Sequence, residues 1–395
     1  MAASPTRLEG LDPLFRAALR GDDRAYGAFL RDAAAALRAF ASRRAPSAPG
    51  YDPEDLVQEI LMAVHAKRHT WREGEPVAPW LFAIARHKAV DAYRKHGRKL
   101  EIDIEEFSEI LSGPVAEAVP TPRDVSRAVA SLEGRQRAVV SSISVEGRSI
   151  GETAERLKIT EGAVRIAFHR GLAVSPPASG ASRMQTDVLI ESLKADARRS
   201  PMRSLPPWPI VVLLCVAAAG VALFSLLGPR ADFAAALGTV RFDLKFVLTG
   251  LTAIGALIAV RDLRHPGASS RRARWWFLLP AALLAAAVVG ELFVVPSSLW
   301  ETRLIGSNSL VCLVAVPALG AVPLAILLWS VRKGATTRPV LTGGLCGLAA
   351  AAVAGFFYAA HCIDDSPLFV VVWYPLAAAI LVAVGMTLGS RVLRW

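Results

Sequence analysis

Between Trp71 and Lys99 the chain sets tryptophans ahead of a run of cations. The segment WREGEPVAPWLFAIARHKAVDAYRKHGRK carries Trp71 and Trp80, then Arg86, Lys88, Asp91, Arg94 and Lys95. Rings on which bases stack, leading into cations that track phosphates, form the chemistry of single-stranded nucleic-acid binding. A second constellation follows in SIGETAERLKITEGAVRIAFHRGL, which has the layout of a helix-turn-helix. Ala154, Leu157, Ile159, Val164 and Phe168 make its small core, leaving Glu161, Arg165, His169 and Arg170 to face the major groove or phosphates.

Other chemistry is not signalled. No Gly-rich phosphate loop, HExxH or GxSxG motif occurs. All four cysteines (Cys215, Cys312, Cys346, Cys362) lie past residue 183, which leaves the first part of the chain without a disulfide, a zinc cluster or thiol chemistry. The expectation is a protein that is not an enzyme and needs no cofactor.

The elements that must position these residues are helices. Residues 11–45 alternate apolar and charged positions at helical spacing, with Gly21 and Asp22 dividing two helices. In YDPEDLVQEILMAVHAKRH, Asp52 is placed to cap a helix with Pro53 at its first position and Glu54 and Asp55 in its first turn. Leu56, Ile60 and Val64 then share a face. Trp80, Leu81 and Ile84 share a side of the next helix. Residues 101–122 interleave acidic and apolar residues and end in prolines, a mostly irregular acidic connector.

DPEDLVQE followed by PWLFAIARHKAVDAYRK resembles region 2 of the extracytoplasmic-function (ECF) sigma factors, and residues 124–173 resemble sigma region 4. The resemblance implies that Asp55, Leu56, Gln58 and Glu59 meet the clamp of core RNA polymerase. It also implies that Trp71, Trp80, Arg86 and Lys88 lie near the opened minus-ten element, with Asp91, Arg94 and Lys95 on the helix that follows. Any one of these taken alone reads equally well as a solvated charge or a core tryptophan; the combination in order carries the resemblance. Region 4 reads the minus-thirty-five element of promoter DNA. Its turn commonly has Gly where this chain has Lys158, at a cost of roughly 1 to 2 kcal/mol for a left-handed non-Gly residue. The acidic connector admits two readings, a nucleic-acid mimic in the RNA exit path or a solvated tether.

Composition divides the chain. Of 395 residues, 53% are hydrophobic and the formal net charge is +11, too apolar for an ordinary soluble protein. Residues 1–183 carry 27 Lys+Arg against 24 Asp+Glu, whereas the remainder carries 18 against 10. No secretory signal opens the chain, so the first part is expected in the cytoplasm. Ser175, Pro176, Pro177, Ser179 and Gly180 form a linker, followed by Met184, which has the look of a second start, and by an amphipathic stretch with Val188, Leu189, Leu193 and Ala197 on one stripe.

Six apolar runs follow: 208–227, 246–260, 275–295, 310–329, 340–360 and 368–388. The second is short and is expected to span by snorkelling of Lys245. With the linker in the cytoplasm, 14 of the 18 cations after residue 183 fall on the cytoplasmic side. Multi-pass insertion in a bacterial inner membrane with both termini cytoplasmic follows. Within these runs the only ionisable residue is Glu291, which argues against transport.

A six-span protein with a short amphipathic tail beside an ECF sigma factor resembles the NrsF-like membrane anti-sigma family. In that family a pair of cysteines is implicated in sensing heavy metals, which implies a thiol or soft-metal sensing role for Cys312, Cys362 and His361; no metal site is established by spacing. Buried cysteines packed as small apolar residues are the plain alternative. The expected fold class is all-α: a region 2 bundle over 1–100, an acidic linker over 101–123, a region 4 helix-turn-helix over 124–174, linker and tail over 175–207, and a six-helix transmembrane domain over 208–395. The expected function is a sigma factor fused to its own anti-sigma regulator. Its partners are core polymerase, promoter DNA, the lipid bilayer and its own tail. A membrane-anchored one-component regulator using the helix-turn-helix alone is the competing reading, and a joining of two adjacent genes at Met184 is a third.

Overall fold

The computed structural model describes residues 10–45, 52–96, 156, 180–199, 204–267 and 273–395, and divides into two compact units. Every element among the described residues is helical.

The first unit begins with α1 (Leu11–Leu19) and α2 (Asp23–Arg44), separated by Gly21 in a left-handed turn (φ 98°) and by Asp22, whose carboxylate accepts from the amides of Arg24 and Ala25. Helix α3 (Pro53–Lys67) starts as its sequence dictates. Asp52 accepts from the Glu54 amide, Asp55 accepts from the Asp52 amide, and Pro53 stands where a missing N–H costs nothing. Helix α4 (Val77–His96) is joined to the front of the chain by Asp12, which accepts from the Val77 amide at 2.8 Å. The core between them is apolar, with Phe15 against Phe29 and Trp80 (ring centroids 4.4 and 5.2 Å) and Leu30, Leu37, Leu56, Ile60, Val64, Leu81 and Ile84 fully buried. Helix α5 (Gly180–Arg199), the predicted amphipathic stretch, belongs to this unit and packs on α2 and α3.

The second unit contains α6 (Trp208–Leu226), the short α7 (Phe233–Ala236), α8 (Val240–Leu263), α9 (Ala273–Val294), the short α10 (Trp300–Ile305), α11 (Ser309–Arg332), α12 (Pro339–Tyr358) and α13 (Pro367–Val392). Six of them, α6, α8, α9, α11, α12 and α13, are long and apolar enough to cross a membrane. Helix α12 is the most enclosed and α9 the least. Close approach of α12 and α13 rests on glycines: a methyl group on Gly343 would stand 2.1 Å from the carbonyl oxygen of Gly385, and one on Gly347 would stand 2.2 Å from that of Leu381. Glycine at four-residue spacing on both helices lets the backbones touch.

The second span corrects the sequence expectation. Its helix runs 24 residues, beginning at Val240, well before the apolar run, and Lys245 does not snorkel. Lys245 is 1% exposed, ion-paired to Asp365 at 2.6 Å, and donates to the Cys362 carbonyl at 2.8 Å. Glu291, only 4% exposed, is likewise paired, lying 2.8 Å from Arg241 and 2.7 Å from Arg303. Charges this deep persist only when paired and hydrogen-bonded.

Candidate functional site

The candidate site is the α2–α3 face on which α5 lies. Its centre is a buried chain of polar groups. Arg38 donates through two nitrogens to the Glu54 carboxylate, and the Thr186 hydroxyl donates to Glu54 at 2.7 Å. Gln58 completes the chain, donating to the same Thr186 oxygen at 3.1 Å. Glu54 and Thr186 are both buried, so each needs these partners to offset lost hydration.

Two turns beyond Gln58 on α3 lies a second bridge. His65 Nδ1 is 2.8 Å from the Tyr26 hydroxyl and Nε2 is 2.9 Å from Asp196 of α5. An imidazole protonated at Nε2 donates to Asp196 and accepts from Tyr26, so one ring ties α2, α3 and α5 together. Burial pushes the His65 pKa down, and the hydrogen bond to Asp196 opposes that shift. Burial raises the Tyr26 hydroxyl.

Apolar contact between these bridges comes from Ile190, 1% exposed, with Leu189, Leu193 and Ala197 half-buried beside it. Val188 is 66% exposed and points away. The stripe read from the sequence is therefore rotated: its centre is Thr186 and Ile190, four residues apart, and Val188 does not belong to it. At the rim Arg198 pairs with Asp23, Arg31 lies 3.5 Å from Glu191, and Lys194 holds the Glu191 carboxyl below its usual range. Exposed pairs of this kind are screened by solvent and contribute little to stability.

Of the polymerase-contact residues expected on α3, Gln58 is engaged by α5, Leu56 is fully buried in the core, Asp55 serves the helix cap, and Glu59 is half-buried. Among the expected promoter-contact residues, Trp71 and Trp80 are buried, Trp80 against Phe15, so neither offers a ring face to a base in this arrangement. Arg86, Lys88 and Asp91 are half-buried, while Arg94 and Lys95 are exposed on the last turns of α4. Glu161, Arg165, His169 and Arg170 lie outside the described residues.

In the second unit Cys312 and Cys362 are fully buried in one apolar cluster with Tyr358 and Phe369. The Cys362 thiol donates to the Asp364 carbonyl at 3.7 Å, and the Asp364 carboxylate accepts from the amides of Ser307 and Asn308, just ahead of α11. His361 Nδ1 lies 2.9 Å from the Gly228 carbonyl. Among the described residues no three His, Cys, Asp or Glu side chains are grouped to hold a metal ion.

A helical head carrying a docked helix, continued in the chain by six helices long and apolar enough to cross a membrane, has the make-up of a multi-pass membrane protein. Comparison with known proteins specifies which. Residues 29–99 match the family model for sigma-70 region 2, residues 123–173 that for sigma-70 region 4, and residues 193–395 that for the negative regulator of sigma F, NrsF. The ECF RNA polymerase sigma factor SigF of Caulobacter vibrioides is 39% identical over 175 residues, 44% of this chain and 93% of that protein. The anti-sigma-F factor NrsF of the same organism is 33% identical over 219 residues, 54% of this chain and all of that protein. A probable anti-sigma-F factor NrsF of Azospira oryzae is 32% identical over 220 residues, again its whole length. No solved structure is a significant match. The chain belongs to the ECF sigma factor family in its first part and to the NrsF anti-sigma family in its second, the two joined in one polypeptide. Matches to both sigma regions favour the sigma reading over a one-component regulator that uses the helix-turn-helix alone.

Sequence reasoning missed three features of the site: the buried Glu54–Thr186–Gln58 chain, the His65–Asp196 bridge and the central place of Ile190. The only signal for Ile190 was its i, i+4 relation to Thr186 and Lys194, which is silent without knowing which face is covered.

Proposed function

We propose that α5 is the restraint: while docked, it covers the α3 surface through which region 2 meets the polymerase clamp, and the sigma part directs initiation only after α5 leaves. The observation that supports this is the hydrogen bond from Gln58, one of the residues expected at the clamp, to Thr186 of α5. A docked helix and the clamp compete for the same polar groups. In this reading the head is cytoplasmic, both termini lie inside, the spans hold the tail at the membrane, and the polymerase supplies all chemistry. In the same reading the domains run as expected from the sequence, with the tail over 175–207 ahead of the spans.

The test uses residues 1–174, which lack α5 and the spans. They are expected to bind core polymerase and to support promoter-specific transcription in vitro, at a level above that of the full chain in membranes. Failure of the head to bind core polymerase would sink the reading. Within it, Arg165→Ala is expected to cost roughly 1 to 3 kcal/mol if Arg165 makes a bidentate base contact, with a loss that depends on the minus-thirty-five sequence. An equal loss on every promoter assigns Arg165 to phosphate instead.

For the signal, the two buried thiols that share a cluster near the Asp364 bridge are the responsive pair we assign. Oxidation or a soft metal at Cys312 and Cys362 pulls α11 and the α12–α13 loop together. A reporter for the target promoter, compared between the wild type and Cys312→Ser with Cys362→Ser under cadmium, chromate and diamide, is expected to lose induction at normal protein level. Full induction by all three agents would exclude the thiols.

A further inference from the structure

The second unit contains, beside its first described residues, an arginine in an unusual setting. Arg264, immediately after α8, is 2% exposed, and among the described residues no carboxylate is paired with it. Its Nη2 donates to the Pro206 carbonyl at 3.1 Å, its guanidinium carbon lies 5.2 Å from the centre of the Trp208 ring, and among the described residues its Nε has no hydrogen-bond partner. Its backbone carbonyl accepts from the Ala335 amide at 2.9 Å, in the turn between α11 and α12. Gly334 makes that contact possible, since a methyl group there would stand 2.7 Å from the same oxygen. Burial, followed by repulsion from Arg261, pushes the Arg264 pKa down to about 10.

Two physical consequences follow. A buried cation without a counter-charge is costly, so its placement depends on the few groups that do hold it. Those groups are a carbonyl and an indole ring belonging to the stretch that leads from α5 into α6. That stretch contains Pro206 and Pro207, whose fixed φ angles stiffen the chain at the point where Arg264 holds it.

We propose that Arg264 is a positioning residue that clamps the Pro206–Trp208 segment to the end of α8 and to the α11–α12 turn, and thereby couples the spans to α5. The inference rests on the occlusion reading above and adds the route by which a movement of the spans reaches the tail. When α8 or the α11–α12 turn shifts, the guanidinium loses the Pro206 carbonyl and the Trp208 face together. The segment is then released, and α5 loses the anchor that held it against α2 and α3. Coupling of this kind requires one packed element with two discrete arrangements that both sites bias, and the labelling experiment below reads out whether the segment has a second one.

The experiment uses the full chain in membranes. Leu205→Cys, at a half-buried position beside the clamp, reports the segment through its labelling rate with a membrane-impermeant maleimide in inside-out vesicles. The four native cysteines are buried, and the wild type supplies the background. Adding Arg264→Ala is expected to raise the labelling rate several-fold and to raise the uninduced reporter several-fold, with Arg264→Lys intermediate because a cation over the ring is retained. Combined with Ile190→Asp, Arg264→Ala is expected to add nothing to the reporter, a dependence that a merely structural loss would not produce. Should Arg264→Ala fail to accumulate, Trp208→Leu keeps the apolar bulk, removes the ring face, and carries the same expectations. Unchanged labelling and an unchanged reporter at normal protein level would overturn the clamp. If Ile190→Asp alone leaves repression intact, the occlusion reading fails, and the labelling rate still decides whether Arg264 holds the segment.

Discussion

In cells carrying the full chain with Ile190→Asp, transcription from the target promoter is expected to rise to about half the level given by residues 1–174 alone, or above it. Ile190 is 1% exposed at the centre of the α5 face. Fully burying such a side chain contributes about 1.5 to 3 kcal/mol, and a carboxylate in its place must be desolvated without a partner at a further cost of several kcal/mol unless it is protonated. A loss of about 3 kcal/mol weakens docking roughly a hundredfold. Magnitude decides whether that is enough, because the tail is tethered to its target and a short tether sets an effective concentration in the millimolar range. A tail with an intrinsic dissociation constant of about 10 μM is then docked about 99% of the time, and a hundredfold loss leaves it docked about half the time. Val188→Asp is the matched control, since Val188 is 66% exposed on the same helix and its replacement is expected to leave repression unchanged. The measurement is reporter activity beside the amount of full-length protein in the membrane fraction. Equal repression in wild type and Ile190→Asp at equal protein level would remove α5 from the inhibitory contact.

The second large effect concerns the membrane unit. Gly347→Val is expected to prevent stable assembly of the spans, seen as a sharp drop in accumulated protein and a lower unfolding temperature in detergent. Overpacking a core usually costs about 1 to 3 kcal/mol because flexible side chains can yield. Here the obstacle is backbone: the carbonyl oxygen of Leu381 would lie 2.2 Å from a first methyl group on Gly347, and the α carbon of Val382 2.7 Å from it. Helix α13 as a whole must therefore move away from α12, the most enclosed helix of the unit. Gly343 and Gly385 oppose each other in the same way, so Gly385→Val is expected to behave alike. Gly290→Ala in α9 is the contrasting case. Nothing lies within 4 Å of the added methyl group, and the change is expected to be neutral or to stabilise by up to about 1 kcal/mol through helix propensity. If Gly347→Val accumulates and melts like the wild type, the close α12–α13 packing is not what holds the unit together.

Several features of this protein were determined by local sequence. Apolar runs of membrane length announced the six long helices, because a spanning helix must satisfy its backbone internally and cover itself with apolar side chains. The start of α3 was equally legible, since Asp52, Pro53 and Asp55 satisfy the orphan amides of the first turn whatever the rest of the chain does. Order and spacing of DPEDLVQE and PWLFAIARHKAVDAYRK carried the family resemblance, which the sigma region 2 match bears out. What only the tertiary structure decided is which side chain meets which across long separations. Helical periodicity gave α5 one apolar stripe that included Val188, whereas contact with α2 and α3 buried the face centred on Ile190. Trp80 is written as readily into a base-stacking platform as into a core, and Phe15, 65 positions earlier in the chain, placed it in the core. Lys245 reads as a residue at a span's end that reaches for water, yet Asp365, 120 positions later, supplies an ion pair that keeps it inside. Periodicity reports the neighbours a residue has along its own helix; the partner that decides whether a charge or an aromatic ring is buried comes from another part of the chain, and only folding brings it there.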